Sequence, residues 1–356
     1  MGESWSLEDL KGWTRALLVS HRVVAPVPGP NGPFWGEIRD PDEVLWDYGR
    51  TSVSPRAWLI PRSEPLFSYD VAASPPKIEE PPVDAKPTVL LLLRPCDVAG
   101  LRALDAVMRW DYQEETYEAR RAATRFVALG CTAPAAPDSC FCEAVGINPG
   151  WGAGADVMIT PVEESGGNRY QVSALSEEGR ELLAGAPVPV RDAVGAEPPP
   201  DGKPIGTVRI DLERARAWMR DHYEDPSWLK ISEACMGCGT CAFVCPSCHC
   251  FDILDEGDWR RGQRVRFWDS CAFDHFTAHA SGHNPRPRQW NRYRQRVYHK
   301  FIFYPDKFGR MLCTGCGRCV DACPGGMDLI EILQGCAARG TDPTTEADGI
   351  READRK

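Results

Sequence analysis

The sequence predicts an α/β N-terminal domain in residues 1–205, a mainly helical domain in residues 206–338 and a disordered tail over residues 339–356. Two observations support this division. Apolar runs of strand length alternate with helical patterns in the first part, whereas clustered cysteines dominate the second. A segment rich in Pro and Gly, residues 185–204, separates the two parts and indicates a boundary near residue 205. The tail is polar and lacks periodicity, which is typical of disorder.

The elements of the N-terminal domain follow from helical periodicity and from apolar runs. Residues 7–20 predict a helix, and Ser6 is suited to cap it. Residues 88–93 form a continuous apolar run that predicts a buried strand, and residues 98–110 predict a helix after it. We expect further strands at residues 21–27, 125–130, 156–160 and 169–174. In layers of this kind, functional loops lie at the ends of strands.

Composition predicts a cytoplasmic protein with metal or redox chemistry. The chain has 43% hydrophobic and 26% charged residues, which is typical of a globular protein. Its longest apolar run, residues 89–93, is too short to cross a membrane, and no apolar signal segment begins the sequence. In a reducing compartment, sixteen cysteines favour metal ligands over disulfides. The net charge of −10 argues against nucleic acid as the main partner.

Two runs of four cysteines share one spacing, C-x2-C-x2-C-x3-C-P. This is the spacing of bacterial ferredoxins, in which three thiolates on a tight loop bind one [4Fe-4S] cluster and the fourth, before Pro, binds the other cluster. The sequence therefore predicts a ferredoxin-like domain that binds two [4Fe-4S] clusters. Cluster 1 is assigned Cys235, Cys238, Cys241 and Cys323, and cluster 2 is assigned Cys313, Cys316, Cys319 and Cys245.

A pair of zinc sites is the alternative interpretation of the two runs. Zinc sites normally combine two C-x2-C pairs and lack the trailing Cys-Pro, so the spacing favours clusters. The runs are separated by a long insert, residues 246–312, which exceeds what a compact ferredoxin needs. Much of the insert, such as residues 289–303, has helical periodicity and predicts a mainly helical domain.

Further motifs accompany the runs, so that recognisable sequence extends from about residue 88 to residue 333. They are Arg94-Pro95-Cys96-Asp97, Ser139-Cys140-Phe141-Cys142, Cys245-Pro246-Ser247-Cys248-His249-Cys250-Phe251-Asp252, Phe267-Trp268-Asp269-Ser270-Cys271, Gly282-His283-Asn284-Pro285-Arg286 and Arg292-Tyr293-Arg294-Gln295-Arg296-x2-His299-Lys300. In this order, the motifs resemble the β subunit of cytoplasmic sulfhydrogenases, the NAD(P)-linked group of [NiFe] hydrogenases. The iron–sulfur A subunit of anaerobic sulfite reductase belongs to the same 4Fe-4S dicluster family.

The resemblance implies an electron-transfer subunit that performs no catalysis itself. In such complexes it passes electrons between a flavin subunit that meets NAD(P)H and the small and large hydrogenase subunits. The equivalent subunit of an anaerobic sulfite reductase is an alternative, because the terminal catalyst lies on other chains. A self-sufficient iron–sulfur oxidoreductase and a zinc-bearing nucleic-acid binder are two further classes. The sequence contains neither a G-x-G-x-x-G nor a P-loop motif for a nucleotide.

Four cysteines of the N-terminal domain are candidates for a third [4Fe-4S] cluster. Cys96 and Cys131 each follow a predicted strand, and Cys140 and Cys142 lie on the loop that leaves Cys131. Three chain segments can thus bring four thiols together. The alternative is that these cysteines are small buried residues without a ligand.

The insert contains further candidates. Cys248, Cys250 and Cys271 provide three thiols near the first run, which either bind an extra metal or pack and hydrogen-bond around the neighbouring cluster. Residues 260–310 contain 12 Lys and Arg against three acids. These cations form a solvated surface, a docking face for an acidic partner, or an environment that offsets the negative charge of clusters. Cys336 is expected to be buried on a helix.

Overall fold

A computed structural model describes residues 4–132, 137–164, 167–197 and 208–340. The strands are β1 (Arg22–Val27), β2 (Phe34–Glu37), β3 (Ser63–Asp70), β4 (Lys77–Glu79), β5 (Thr88–Leu93), β6 (Thr124–Leu129), β7 (Val157–Glu164), β8 (Gly167–Ala174), β9 (Arg191–Asp192), β10 (Phe251–Gly257) and β11 (Arg261–Trp268). The helices are α1 (Leu7–Ser20), α2 (Pro95–Met108), α3 (Glu115–Ala122), α4 (Glu177–Leu182), α5 (Leu212–Asp221), α6 (Ser227–Ile231), α7 (Thr240–Phe243), α8 (Gln289–Tyr298), α9 (Tyr304–Phe308), α10 (Arg318–Asp321) and α11 (Leu329–Arg339). A π-helical turn, His299–Phe303, joins α8 to α9.

A seven-stranded sheet organises the N-terminal region in the order β2-β1-β5-β6-β7-β8-β9. The strands β1, β5, β6 and β7 are parallel to their neighbours in this order, whereas β2 and β8 add to them antiparallel. Helix α1 covers one face of the sheet through Leu10, Trp13 and Leu17, and α2 covers the other. Because both faces are covered, β5 is buried along its whole length, which explains its unbroken apolar sequence. The mixed α/β region is confirmed.

Local sequence signals explain the first elements. Ser6 and Asp9 form a reciprocal capping box at the start of α1, as the helix prediction for residues 7–20 requires. The strand predicted at residues 88–93 coincides with β5. Helix α2 begins earlier than predicted, at Pro95, because proline fits the first turn of a helix, where its missing N–H has no helical partner.

The insert between the cysteine runs is not helical throughout. Its first part forms the hairpin β10–β11, which joins β3 and β4 in a four-stranded antiparallel sheet of order β10-β11-β3-β4. The residues of β10 are all exposed, so the pattern of burial that distinguishes a strand from a helix is weak there. The second part is helical as predicted, since α8 and the π-helical turn span residues 289–303. The mainly helical character predicted for this region therefore holds only for part of it.

The remaining C-terminal residues pack around α5, α8 and α11. Trp218, Trp228, Tyr298 and Leu333 are buried together in this core, and Cys336 is fully buried on α11, as expected. The predicted boundary near residue 205 lies outside the described residues, as do residues 198–204 of the predicted linker and residues 341–356 of the predicted tail. None of the described helices is long and apolar enough to cross a membrane.

Candidate metal centres

The two cysteine runs adopt the same local structure. In the first run, Gly237 and Gly239 have positive φ angles of 72° and 75°, and Gly239 is followed directly by α7. In the second run, Gly315 and Gly317 have φ angles of 60° and 71°, and α10 follows. Glycine adopts this left-handed conformation without steric cost, so each loop curls and turns its cysteines toward one side. The spacing of the motif therefore places the three thiols of each loop around a common space.

Site 1 is a cavity whose lining includes all four thiols assigned to cluster 1: Cys235, Cys238, Cys241 and Cys323. Three of them come from the first run, and the fourth comes from the end of the second run. The side-chain amide of Gln289 donates to Cys235 Sγ at 3.1 Å, and the Met327 backbone N–H donates to Cys323 Sγ at 3.3 Å. Such N–H···S bonds stabilise negative charge on sulfur. Cys238 is exposed, which makes it the outermost thiol of the site.

Site 2 is the group of thiols assigned to cluster 2: Cys313, Cys316, Cys319 and Cys245. Burial raises the pKa of Cys319 to about 12, and the neighbouring Cys313, Cys316 and Cys245 raise it as well. Burial likewise raises the pKa of Cys313 to about 11, with Cys245 and Cys316 adding to the effect. The Ser247 hydroxyl donates to the Leu312 carbonyl at 2.6 Å, so the segment that follows Cys245 lies against the start of the second run.

Buried cations accompany sites 1 and 2. Lys300 is 3% exposed, and its Nζ donates to Cys245 Sγ at 3.3 Å. Arg296 is 6% exposed, and its guanidinium donates to the Cys241 carbonyl at 2.9 Å. Burial of an unpaired cation is costly, so these residues need an anionic partner. Thiolates bound to a cluster would supply it, and the donor set of sites 1 and 2 thus fits [4Fe-4S] clusters.

Site 3 is a second cavity, and it brings together all four candidate cysteines of the N-terminal domain: Cys96, Cys131, Cys140 and Cys142. The three chain segments that carry them meet there, as the sequence pattern anticipated. Burial raises the pKa of Cys140 to about 11 and that of Cys142 to about 12. Arg50 also lines the cavity, and its guanidinium lies 3.9 Å from Cys140 Sγ.

A strained turn places Cys96 in this cavity. Leu92, near the end of β5, has a φ of 66°, which a residue with a branched side chain rarely adopts. The pairing of β5 with β6 shifts register here, and the Tyr48 hydroxyl donates to the Leu92 carbonyl. Arg94 then donates to the Gly130 carbonyl at 2.8 Å and links the ends of the two strands. Strain of this kind concentrates at functional sites, where the surrounding contacts enforce it.

Site 3 lies directly against site 2. The Phe141 N–H donates to the Gly315 carbonyl at 2.8 Å, and a Cβ on Gly315 would lie 2.5 Å from Cys142 Cα. Arg50 also donates to the Cys316 carbonyl, and Cys316 lines the cavity of site 3. Cys319 in turn lines the cavity of site 1. Site 2 therefore contacts both of the other sites.

The thiols of sites 1 and 3 line cavities and do not converge on a single point. In the described parts of the chain, no group of three or more His, Cys, Asp or Glu side chains could hold a single metal ion. A cluster makes a different demand, because each thiolate binds its own iron and the thiolates stand further apart.

Some residues around the sites carried no local signal in the sequence. Arg50 and Arg56 lie in the N-terminal region, yet both reach carbonyl groups of C-terminal cysteines, those of Cys316 and Cys248. Only the fold connects residues so distant in sequence. Arg296 and Lys300, by contrast, belong to the basic stretch that composition had indicated.

Comparisons with known proteins agree with this arrangement. The family model of the 4Fe-4S dicluster domain matches residues 234–327, which include both cysteine runs. The chain is also 28% identical over 328 residues to sulfhydrogenase 2 subunit beta of Pyrococcus furiosus, a match covering 88% of this chain and 91% of that protein. The predicted resemblance is confirmed. A search of solved structures gave no match. These findings support an iron–sulfur subunit for electron transfer.

Each run is expected to supply one ligand to the cluster of the other run. Cys323 lines the site 1 cavity although it belongs to the second run, so Cys323→Ser should alter the EPR signal of the site 1 cluster. By the same reasoning, Cys245→Ser should alter the signal of the site 2 cluster. Both variants are compared by EPR after anaerobic purification and reduction.

Cys336→Ser is the matched control for this experiment, because Cys336 is a fully buried thiol on α11 outside the sites. It should leave both signals unchanged. If Cys323→Ser instead removed only the signal that Cys313→Ser removes, each run would be self-contained and the exchange would be wrong.

Proposed function

We propose that this chain is an iron–sulfur electron-relay subunit that binds three [4Fe-4S] clusters, two in sites 1 and 2 and a third in site 3. A [4Fe-4S] cluster, when bound, accepts and releases single electrons. The observation that carries the proposal is the shared lining of the three sites: Cys319 of site 2 lines site 1, and Cys316 of site 2 lines site 3. Site 2 would therefore pass electrons between the other two.

The residues around the three sites would bind the clusters and offset their negative charge. The twelve thiols would bind as thiolates, so the chain must lose a proton at each when the clusters assemble. Lys300 and Arg296 offset negative charge around sites 1 and 2, and Arg50 does so between sites 2 and 3. Nearby cations favour the reduced, more negative state of a cluster.

The partners follow from the resemblance and from the sulfhydrogenase relative. We propose that a flavin subunit reacting with NAD(P)H docks on one side and that the small and large subunits of a soluble [NiFe] hydrogenase dock on the other, in the cytoplasm. The corresponding subunit of an anaerobic sulfite reductase is the second candidate, since the same family includes it. The genes that neighbour this one distinguish the two, through a large [NiFe] subunit or a sirohaem reductase.

The relay is tested on the isolated chain. Because its clusters would serve other subunits, the chemically reduced protein should reoxidise with an acceptor dye, as followed by its visible absorbance. It should not oxidise hydrogen, reduce sulfite or oxidise NADPH until partner subunits are added. Turnover of NADPH by the isolated chain, with a stoichiometric flavin bound, would favour a self-sufficient oxidoreductase and contradict the proposal.

Replacement of a single thiol of site 3 should remove the cluster proposed there. Cys140→Ser and Cys142→Ser should each lower the iron and sulfide content of the anaerobically purified chain by about four of each, because a cubane needs all its thiolates together. Iron and acid-labile sulfide are quantified per chain. The EPR signals of sites 1 and 2 should persist in both variants.

Cys336→Ser again serves as the control and should retain all of its iron, since the loss of a buried thiol outside the sites removes no ligand. Unchanged iron in both Cys140→Ser and Cys142→Ser would show that these thiols of site 3 are structural.

A further inference from the structure

Strand β10 forms an open edge of the four-stranded sheet. The strands of this sheet follow the order β10-β11-β3-β4, so among the described strands β10 has a neighbour on one side only. All residues of β10 are exposed, and its apolar side chains Phe251, Ile253 and Leu254 are 45%, 41% and 50% exposed. Proteins normally shorten, cover or charge such edges, because an exposed edge strand with apolar side chains can pair with a strand of another chain.

The backbone of β10 presents alternate peptide groups to the outside. The Asp269 N–H donates to the Cys250 carbonyl at 2.9 Å, so these two residues form a hydrogen-bonded pair at the base of the hairpin. Such pairs recur at every second residue of an antiparallel ladder. By this alternation, the residues whose N–H and C=O groups point away from β11 are Phe251, Ile253 and Asp255. The Ile253 N–H agrees with this direction, because it donates to the Asp252 carboxylate at 2.8 Å and not to β11.

Two acidic side chains determine which strand could pair with this edge. Asp252 and Glu256 lie on one face of β10 with Leu254 between them, because side chains alternate along a strand. Among the described residues, neither acid forms an ion pair, and Glu256 accepts from the neutral side-chain amide of Gln263 at 3.0 Å. Opposite charges that face each other across two strands stabilise their pairing. The matching strand therefore carries Lys or Arg on both sides of an apolar residue.

A second copy of the chain matches the edge poorly. Antiparallel pairing of two β10 strands over their whole length would centre on Leu254 and would set Asp252 opposite Glu256 twice. Like charges directly opposite each other are destabilising. The chain's own residues 341–356 contain five acids against three cations, so their composition does not supply the basic strand either.

We propose that β10 is the docking edge for another subunit of the complex, which adds a strand with basic residues to the four-stranded sheet. Hydrogen bonds to the outward peptide groups of Phe251, Ile253 and Asp255 would provide binding, and cations opposite Asp252 and Glu256 would provide specificity. The proposal rests on the proposed function only in that the chain belongs to a complex. It requires no electron transfer by the chain.

Hydrogen exchange tests the edge directly. The isolated chain is compared with the complex purified through a tag on this chain, both under anaerobic conditions. Exchange at Phe251, Ile253 and Asp255 should slow by about tenfold or more in the complex, because the added strand supplies carbonyl partners for their N–H groups. The amides of β4, at the other edge of the same sheet, serve as the reference and should exchange at equal rates in both samples.

Reversal of charge tests the chemistry of the partner strand. Asp252→Lys combined with Glu256→Lys should raise the Kd for the remaining subunits by about tenfold or more, because cations would then face cations. Glu79→Lys is the matched control, since Glu79 is an exposed acid on β4, and it should leave the Kd unchanged. All variants should keep the iron content of the wild type, because β10 and β4 contribute no thiol to sites 1 to 3.

Several outcomes would overturn the proposal. They are a chain that purifies alone, equal exchange of β10 in the complex and in the isolated chain, and an unchanged Kd for the doubly reversed variant. Protection of β10 that is already present in the isolated chain would assign the edge to a second copy or to residues 341–356, and would overturn it as well. The relay is judged by iron content and by reoxidation with dye, so its failure is recognised separately.

Discussion

Replacing Asp97 with alanine is expected to lower the free energy of unfolding by about 3–5 kcal/mol. The side chains of Asp97 and Arg318 are 0% and 1% exposed, and they form two hydrogen bonds of 2.7 and 3.1 Å. Removal of the carboxylate leaves the guanidinium buried without its counter-ion. The effect is measured as the change in the urea midpoint of the anaerobic, full-length chain.

The same substitution should disturb the metal centres. Arg318 begins α10 within the second run, between Cys316 and Cys319, and it also donates to the Thr51 carbonyl at 2.9 Å. Asp97 follows Cys96 of site 3 on α2. The ion pair therefore joins the segments that carry sites 2 and 3, and its loss should lower the iron content as well as the stability.

Asp255→Ala is the matched control, because Asp255 also pairs with an arginine but at the surface. Its partner is Arg264, at 2.7 Å, and the two side chains are 49% and 45% exposed. Exposed ion pairs contribute little, so the expected loss is below about 1 kcal/mol. Similar midpoints for the Asp97→Ala and Asp255→Ala variants would contradict the role assigned to the buried pair.

The sequence predicted best the features that depend on residues close together in the chain. The capping box of Ser6 and the apolar run of β5 identify a helix and a strand from a few neighbouring residues. The cysteine spacing predicts the looped runs in the same way, since positive φ angles at glycines such as Gly237 are all that the loops require. The gathering of Cys96 and Cys131 followed from one further rule, that parallel strands end at a common edge.

What the sequence did not predict depends on contacts between distant segments. The residues of β10 are all exposed, so burial does not mark it as a strand. The hairpin β10–β11 instead depends on the pairing of β11 with β3, which lies nearly 200 residues earlier in the chain. The partners of buried cations could not be predicted from the sequence either. Arg56 and Arg318 look like ordinary surface arginines in the sequence, and only the fold brings them to Cys248 and Asp97.

Replacing Lys300 with glutamine is expected to lower the midpoint potential of the site 2 cluster by on the order of 100 mV. Reduction adds negative charge to the cluster, and the buried ammonium favours that state through its contact with Cys245 Sγ at 3.3 Å. At an effective dielectric constant of about 20, the lost attraction is about 2–3 kcal/mol when the cluster charge is spread over its atoms. The potential therefore falls when the cation is removed. It is measured by an EPR-monitored redox titration.

Lys307→Gln is the control, because Lys307 is an exposed cation on α9, a few residues beyond Lys300. Water screens an exposed charge, so this variant should shift the potential of site 2 by no more than about 20 mV. Lys300→Arg retains the charge and should keep most of the wild-type potential wherever iron content is preserved. Equal potentials for Lys300→Gln and wild type would mean that the ammonium is compensated elsewhere. The buried cations would then contribute to packing and not to the energetics of electron transfer.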